Sequence, residues 1–437
     1  MNTPKKSQEE ILRKLGITAL NPMQEEAALA ILHAQDVVIL SPTGSGKTLA
    51  FLLPVLAKFQ EDLEAVQGLV LVPSRELALQ IETVARDMGT GFKVNAIYGG
   101  RPIAKDFEDL QHPPALLIGT PGRIADHLKR GTFSTRQLKF LILDEFDKSL
   151  EIGFADEMEA ILEKTTFVEQ QILTSATQLE DWPPFLRLNR PTNINYLGEG
   201  TSSLEIKRLV SPEKDKLHTL GASLRHLGAK PGIIFCNYKD SIQRVSDYLT
   251  EQGIDHACFY GGMEQKDRER SLIKFRNGTH QLLLATDLAA RGIDVPEIAF
   301  IIHYHLPHHE QEFIHRNGRT ARMHREGTAY VLHWEQDELP DFIGNPPEEP
   351  IEEAPALQPS DWATVFISGG RKDKISKGDI AGLFFKQGQL KKGDLGVIEL
   401  KVDCAFVAVR RAKAKQVIRL LDNGRIKKRK LRLYEIE

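Results

Sequence analysis

One stretch near the start of the chain limits its fold more than any other. Val37, Val38, Ile39 and Leu40 are followed by the octapeptide S-P-T-G-S-G-K-T, then by Leu49-Ala50-Phe51-Leu52-Leu53. Four apolar, β-prone residues predict a buried strand, and the later apolar run predicts a helix. A glycine-rich turn between strand and helix, ending in Lys-Thr, is the setting of a phosphate-binding loop. Gly44 and Gly46 let successive N–H groups turn inward on a polyphosphate, and the helix N-terminus adds its positive end. Lys47 can reach the β- and γ-phosphates of a nucleotide, and the Thr48 hydroxyl can hold Mg²⁺. The pattern G-x-x-x-x-G-K-[ST] is met only with Ser41 in place of its first glycine. Ser41, Thr43, Gly44, Ser45, Gly46, Lys47 and Thr48 are thus the candidate nucleotide-binding residues of this loop.

The rest of the chain repeats that strand–helix rhythm. Before the loop, residues 11–15 are apolar at helical spacing, and Asn21-Pro22-Met23-Gln24 opens a second helix. After it, strands are expected at 68–73, 94–98, 115–119, 140–143, 172–175 and 193–197, with helical stretches between. Such alternation predicts a parallel, doubly wound α/β sheet. Residues 198–203 read as a polar Gly/Ser linker. A second series follows, with strands at 206–210, 233–236, 256–260, 281–285, 299–303 and 327–333. The expected architecture is therefore α/β: two tandem lobes at 1–197 and 204–334. Residues 335–361 hold many Pro and Glu but no Lys or Arg, which suits either an extended tether or a docked strap. Residues 362–437 alternate β-α-β-β-α-β, a small α+β domain.

With 437 residues the chain is long enough for two or three domains. No run of 18 apolar residues predicts a membrane span, and the first ten residues lack the apolar core of a signal peptide. Cys236, Cys258 and Cys404 lie far apart, which points to reduced thiols and a cytoplasmic protein. The net charge of −3 is unevenly spread. Residues 362–437 carry 19 Lys and Arg against 8 Asp and Glu, hence +11, which leaves −14 on the preceding 361 residues. A basic domain on an acidic body suggests an anionic partner, most simply nucleic acid.

Several short motifs carry chemistry. Leu141-Ile142-Leu143 precedes Asp144-Glu145-Phe146-Asp147, so carboxylates are expected at the C-terminal edge of a parallel sheet, where open α/β folds bind ligands. Asp144 suits the Mg²⁺ shell and Glu145 the deprotonation of an attacking water. Ser175-Ala176-Thr177 follows another strand. In the second lobe, Arg319 and Arg322 lie three apart in H-R-N-G-R-T-A-R, on one helical face. Two guanidinium forks at that spacing can stabilise a transferring phosphoryl group.

Taken in order, these motifs resemble the DEAD-box ATP-dependent RNA helicases, across both lobes. They include N-P-M-Q ending at Gln24, the phosphate loop, P-S-R-E-L-A from Pro73, Gly99-Gly100, T-P-G-R from Thr120 to Arg123 and D-E-F-D. S-A-T, I-I-F-C-N from Ile233, Gln265 with Arg268, A-T-D-L-A-A-R-G-I-D ending at Asp294, and H-R-N-G-R-T-A-R complete the set. The resemblance implies RecA-like lobes, ATP with Mg²⁺, and an RNA partner that joins the nucleotide in bridging the lobes. It implies that Gln24 reads adenine, that Asp294 meets the ribose, and that Arg319 and Arg322 reach the γ-phosphate. Pro73, Arg75, Gly100, Thr120, Pro121, Gly122, Arg123, Gln265, Arg268 and Thr286 would hold RNA, largely by its backbone, which positions without reading sequence. Ser175 and Thr177 would couple hydrolysis to RNA separation.

The tail resembles the RRM-like RNA-binding appendage of the DbpA type. Arg371, Lys372 and Lys374, with Arg410, Arg411 and the 427–432 run, are its candidate RNA contacts, and Phe406 is a candidate sheet-surface aromatic. That likeness implies an rRNA target, ribosome assembly intermediates as partners, and a monomer. Four departures stand out: Ser7 sits where the family carries an adenine-stacking aromatic, Phe146 replaces alanine, and Asn317 and Ala321 replace isoleucine and glycine. His303, His305, His308 and His309 lack a completing Cys or acidic pair, so they read as structural rather than metal-binding. The function expected is local separation of structured RNA. An ATP-dependent clamp without unwinding is the alternative, and a related DNA helicase or a small-molecule kinase are further rivals.

Overall fold

The computed structural model describes residues 6–178, 182–197, 203–287, 298–320, 326–427 and 429–436. The first lobe holds a seven-stranded, wholly parallel sheet in the order β3-β4-β2-β5-β6-β1-β7. Its strands are β1 (Val37–Leu40), β2 (Gly68–Leu71), β3 (Val94–Ile97), β4 (Leu116–Gly119), β5 (Phe140–Leu143), β6 (Gln170–Ser175) and β7 (Thr192–Asn195). β1 to β5 are buried along their whole length, as befits strands covered by helices on both faces. The helices are α1 (Gln8–Leu15), α2 (Pro22–His33), α3 (Lys47–Lys58), α4 (Arg75–Met88), α5 (Ile103–Gln111), α6 (Pro121–Arg130), α7 (Phe146–Glu151) and α8 (Ala155–Lys164). One apolar core forms on each face of the sheet, around Phe51, Ile81 and Ile118 on one side and Leu117, Phe146 and Ile161 on the other. Ser7, the position of the absent aromatic, caps α1: its hydroxyl accepts from the Glu10 N–H, and the Glu10 carboxylate accepts from the Ser7 N–H.

The second lobe has six parallel strands in the order β10-β11-β9-β12-β13-β8. These are β8 (Ser203–Ser211), β9 (Gly232–Phe235), β10 (His256–Phe259), β11 (Leu282–Ala285), β12 (Phe300–His303) and β13 (Glu326–Trp334). α9 (Leu217–Leu227), α10 (Lys239–Glu251), α11 (Gln265–Arg276) and α12 (Glu310–Asn317) belong to this lobe. Both lobes are parallel α/β layers, as the alternation predicts, and of the RecA-like kind that the resemblance implies.

Residues 335–361 dock on the second lobe. Arg208 donates its N–H to the Pro347 carbonyl, and Glu349 donates its N–H to the Arg208 carbonyl. Lys207 pairs with Glu349 at 2.8 Å. Ile343, Ile351 and Leu357 pack on apolar side chains of the lobe. The strap form of the two readings is the one found, because apolar anchors interrupt its acidic run.

The tail is a four-stranded antiparallel sheet, β15-β16-β14-β19, backed by two helices. Its elements are β14 (Trp362–Ile367), α13 (Lys377–Lys386), β15 (Leu395–Leu400), β16 (Ala405–Arg410) and α14 (Arg411–Leu421), then the short pair β17 (Arg425–Ile426) and β18 (Arg429–Lys430), and β19 (Leu433–Glu435). Phe366 packs edge-on against Phe406 and stacks on Tyr434, with centroids 5.6 and 4.7 Å apart. This sheet face packs on α11 of the second lobe through Ile273, Phe406 and Ile436. Arg276 donates two bonds to the Glu399 carboxylate, at 2.7 and 3.0 Å. Phe406 is therefore both a sheet-surface aromatic and a buried packing residue.

Candidate active site and RNA-binding surfaces

In the first lobe every motif falls at the C-terminal edge of the sheet. The phosphate loop links β1 to α3. Gly44 and Gly46 have φ of +85° and +88°, a region that side chains strain to enter. A Cβ on Gly46 would stand 2.4 Å from Gln24 Nε2. The loop is braced from α2: Asn21 Nδ2 donates to the Ser45 carbonyl at 2.9 Å and Gln24 Nε2 to the Gly46 carbonyl at 3.1 Å. Gln24 Oε1 accepts from the Asn21 N–H. Gln24 thus has a structural duty, and each of its carboxamide atoms keeps capacity for one more bond.

Lys47 Nζ donates to the Ser41 carbonyl, and to that of Pro42 at 3.0 Å. Burial pulls its pKa down to about 8, against the opposing pull of Asp144 and Glu145. The buried Ser45 hydroxyl has no hydrogen-bond partner among the described residues. A cradle with an unpaired donor, two left-handed glycines and a buried lysine suits an anionic polyphosphate.

Two strands away, Asp144 follows β5, and Glu145 comes next in the left-handed region at φ +49°. Thr174 on β6 donates its hydroxyl to Asp144 and accepts from the Glu145 N–H at 3.2 Å. Burial, then the neighbouring Glu145, raises the Asp144 pKa to about 6. Such a carboxylate gains most from a nearby cation, and with the Thr48 hydroxyl it offers the hard oxygen donors that Mg²⁺ takes. Lys148, wholly buried, holds its Nζ 3.1 Å from Glu145 Oε1. Thr177 donates to Asp147 Oδ2 at 2.8 Å, and Ser175 Oγ accepts from the Thr177 N–H at 3.1 Å. S-A-T and D-E-F-D are thereby one bonded unit. The Phe146 ring lies in the core and stacks on Trp182, with centroids 6.2 Å apart.

Beside this site Arg75, Gly100, Thr120, Gly122 and Arg123 gather at the ends of β2, β3 and β4. Gly100 has φ +84°, and Arg75 Nη1 lies 3.2 Å from where its Cβ would be. Pro73 and Pro121 are buried. Their rings shape the turns that carry Arg75 and Gly122.

In the second lobe, Thr286 follows β11 and Gln265 opens α11, both half-exposed. Arg268 is buried, with its guanidinium 4.7 Å over the Phe259 ring, and Arg319 is only 4% exposed. Neither side chain stands ready at the surface. Asp294 and Arg322 lie outside the described residues.

Sequence reasoning passed over Arg316. It is buried, donates its Nε to Asp287 at 2.6 Å, its Nη1 to the His305 carbonyl and its Nη2 to Asn237 Oδ1. It ties three of the quoted motifs together. The pairing of H-R with A-T-D was the available signal, but nothing local says that they meet. Three of the four histidines make structural contacts: His303 Nε2 meets Asn317 Oδ1 at 2.9 Å, and His305 and His308 both bond Asn237. Among the described residues no cluster of three or more His, Cys, Asp or Glu could hold a metal ion, and no helix is long and apolar enough to cross a membrane.

On the tail, Arg371, Lys372, Lys374, Lys427, Arg429, Lys430 and Arg432 are exposed. They occupy the turn after β14, the β17–β18 hairpin and the link from it to β19. Lys427 joins the two, donating to the Lys374 carbonyl and pairing with Asp379 at 2.8 Å.

Family models match three segments: DEAD/DEAH box helicase at 21–182, the helicase conserved C-terminal domain at 215–324, and the DbpA RNA binding domain at 364–435. The ATP-dependent RNA helicase DbpA of Escherichia coli K12 is 33% identical over 436 residues, covering 95% of this chain and 94% of that protein. Its Bacillus subtilis namesake is 29% identical over 459 residues, covering 97% and 96%. Among solved structures, Saccharomyces cerevisiae Dbp5 bound to RNA and ADP BeF3 matches with a TM-score of 0.68 at 25% identity, over 75% of this chain and 88% of that one.

Proposed function

The chain belongs to the DEAD-box ATP-dependent RNA helicases of the DbpA type, enzymes that couple ATP hydrolysis to RNA unwinding, and from that premise we propose that it remodels structured rRNA during ribosome assembly. It would act in the cytoplasm as a monomer. The observation that carries this reading is the +11 tail with its basic loops exposed and its sheet face packed on α11.

ATP lies with its phosphates along Ser41, Thr43, Gly44, Ser45, Gly46, Lys47 and Thr48. Lys47 exchanges the Ser41 and Pro42 carbonyls for phosphate oxygens. Gln24 and Asp294 take the base and ribose. Mg²⁺ on Thr48 and Asp144, when bound, neutralises phosphate charge. Glu145 orients the attacking water and accepts its proton. Arg319 and Arg322 meet the charge that develops on the transferring group, which requires Arg319 to leave its buried position. The Thr177–Asp147 bond carries the state of the hydrolytic site to S-A-T.

RNA backbone is gripped by Arg75, Gly100, Thr120, Gly122, Arg123, Gln265 and Thr286, with no reading of sequence. Selectivity comes from the tail through Arg371, Lys372, Lys374 and the 427–432 run, not from the occupied sheet face. The test is RNA-stimulated ATPase activity over a panel of rRNA fragments. The whole protein is compared with one lacking 362–437 and with Arg371→Glu/Lys372→Glu/Lys374→Glu, which leaves the docked face untouched. The proposal expects one fragment to stand out for the whole protein and both altered proteins to lose that preference. The same ranking in all three would make the tail a solubility or protein-docking domain.

A further inference from the structure

We infer that Asp106, which none of the motifs includes, is the positioning residue of the first lobe's RNA grip. The inference rests on the reading of Arg75, Gly100 and Arg123 as RNA contacts.

Asp106 lies in the first turn of α5 and is fully buried. A buried carboxylate is costly unless charge and hydrogen bonds compensate it. Here three side chains converge on it. Arg123 Nε donates to Oδ2 at 2.7 Å. His127 Nε2, also fully buried, meets the same oxygen at 3.1 Å. Arg101 Nε lies 3.3 Å from Oδ1. On its other side the His127 ring meets the Thr132 hydroxyl through Nδ1 at 3.0 Å, so the imidazole is fixed at both nitrogens.

The consequence falls on Arg123. Its Nε is held by Asp106, and its Nη2 donates to the Arg101 carbonyl at 2.7 Å. Two points fix the plane of a guanidinium. The remaining donors stay available for a phosphate oxygen, in a fork that is already ordered. Arg101 directly follows Gly100, where Arg75 approaches. Asp106 therefore fastens the Gly99-Gly100 turn to the start of α6 and makes two contact segments one rigid unit. Ordering the fork beforehand removes the side-chain entropy that a loose arginine loses on binding. Among the described residues Asp106 is the acid placed for this: Asp109 also pairs with Arg101 but is not among the partners of Arg123.

The test uses the full chain and RNA-stimulated ATPase kinetics for wild type, Asp106→Asn, Arg123→Ala and the double variant. Arg123→Ala should raise the KM for RNA by about tenfold or more, the loss of a charge-assisted contact. Asp106→Asn should raise it roughly 5- to 20-fold, with kcat at saturating RNA and KM for ATP within about twofold of wild type. The double variant should be no worse than Arg123→Ala, because Asp106 acts through that arginine. An unchanged KM for RNA in Asp106→Asn, or a double variant whose effects multiply, overturns the inference while the Arg123 assignment stands. An unchanged KM in Arg123→Ala overturns that assignment first and the inference with it. Should Asp106→Asn lose ATP binding through misfolding, Asp106→Glu replaces it. A carboxylate displaced by one methylene should raise the KM for RNA at least about threefold, since hydrogen-bond geometry is narrow, and an unchanged value there refutes the inference equally.

Discussion

Replacing Phe146 by alanine would recreate the motif common in the family, D-E-A-D, yet it should harm this protein. The Phe146 ring is 1% exposed, belongs to a core with Leu143, Met158 and Leu173, and stacks on Trp182 at 6.2 Å with planes 20° apart. Truncating a buried phenylalanine costs about 3–5 kcal/mol, the spread set by how far the site collapses. Alanine recovers a few tenths of a kcal/mol in helix propensity at the start of α7. Trp182 is 40% exposed and can follow the gap inward, so the expected loss is at the low end, about 3 kcal/mol. For a lobe of this size that is a fall in melting temperature of roughly 6–12 °C. The assay is urea and thermal unfolding followed by Trp182 fluorescence, with Trp334 and Trp362 replaced by phenylalanine so that the first lobe reports alone. A loss below about 1 kcal/mol would refute the claim that this ring is a core element rather than a passive substitution.

Two other perturbations test other parts of the structure. Burial first, then the Arg316 charge, lowers the His303 pKa to about 3, and burial lowers that of His305 to about 4. The unfolded chain takes up these protons near pH 6.5, so stability should fall as the pH drops from about 6.5 towards 3. His303 alone should account for about 2 kcal/mol at pH 5. Comparing second-lobe unfolding at pH 7.5 and pH 5 checks this, and an equal acid loss in His303→Gln would contradict it. Arg276→Glu sets a like charge against Glu399 and should loosen the tail from α11, exposing the junction at 358–362 to protease. Adding Glu399→Arg should restore protection, and a digestion pattern indifferent to both changes would refute the docked arrangement.

What the sequence discloses follows from how local each feature is. The phosphate loop is readable because strand, glycines and Lys-Thr are contiguous, and the parallel sheets because each strand is a short apolar run between helical ones. The docking of 335–361 is not readable: Pro and Glu without Lys or Arg resemble solvated linker, and Ile343, Ile351 and Leu357 recur at no regular period. Arg316 and Asp287 are 29 residues apart, and no pattern says that they pair. Asp106 looks like any acid on a surface helix until α6 covers it. The buried states of Arg268 and Arg319 were likewise hidden, because a motif specifies residue types and spacing but not the conformer held at rest. Phe406 alternates correctly for an exposed sheet face, but the helix that covers it comes from another domain.

In the proposed mechanism, hydrolysis at Glu145 drives RNA separation. It is tested most directly by following ATP hydrolysis and RNA strand displacement in one reaction, for wild type and Glu145→Gln. Loss of a positioned base should slow hydrolysis by about 10² or more. The account predicts that steady-state displacement falls by the same factor, with ATP binding kept. Displacement that continues at the wild-type rate while hydrolysis collapses would contradict it, as would hydrolysis that survives the substitution.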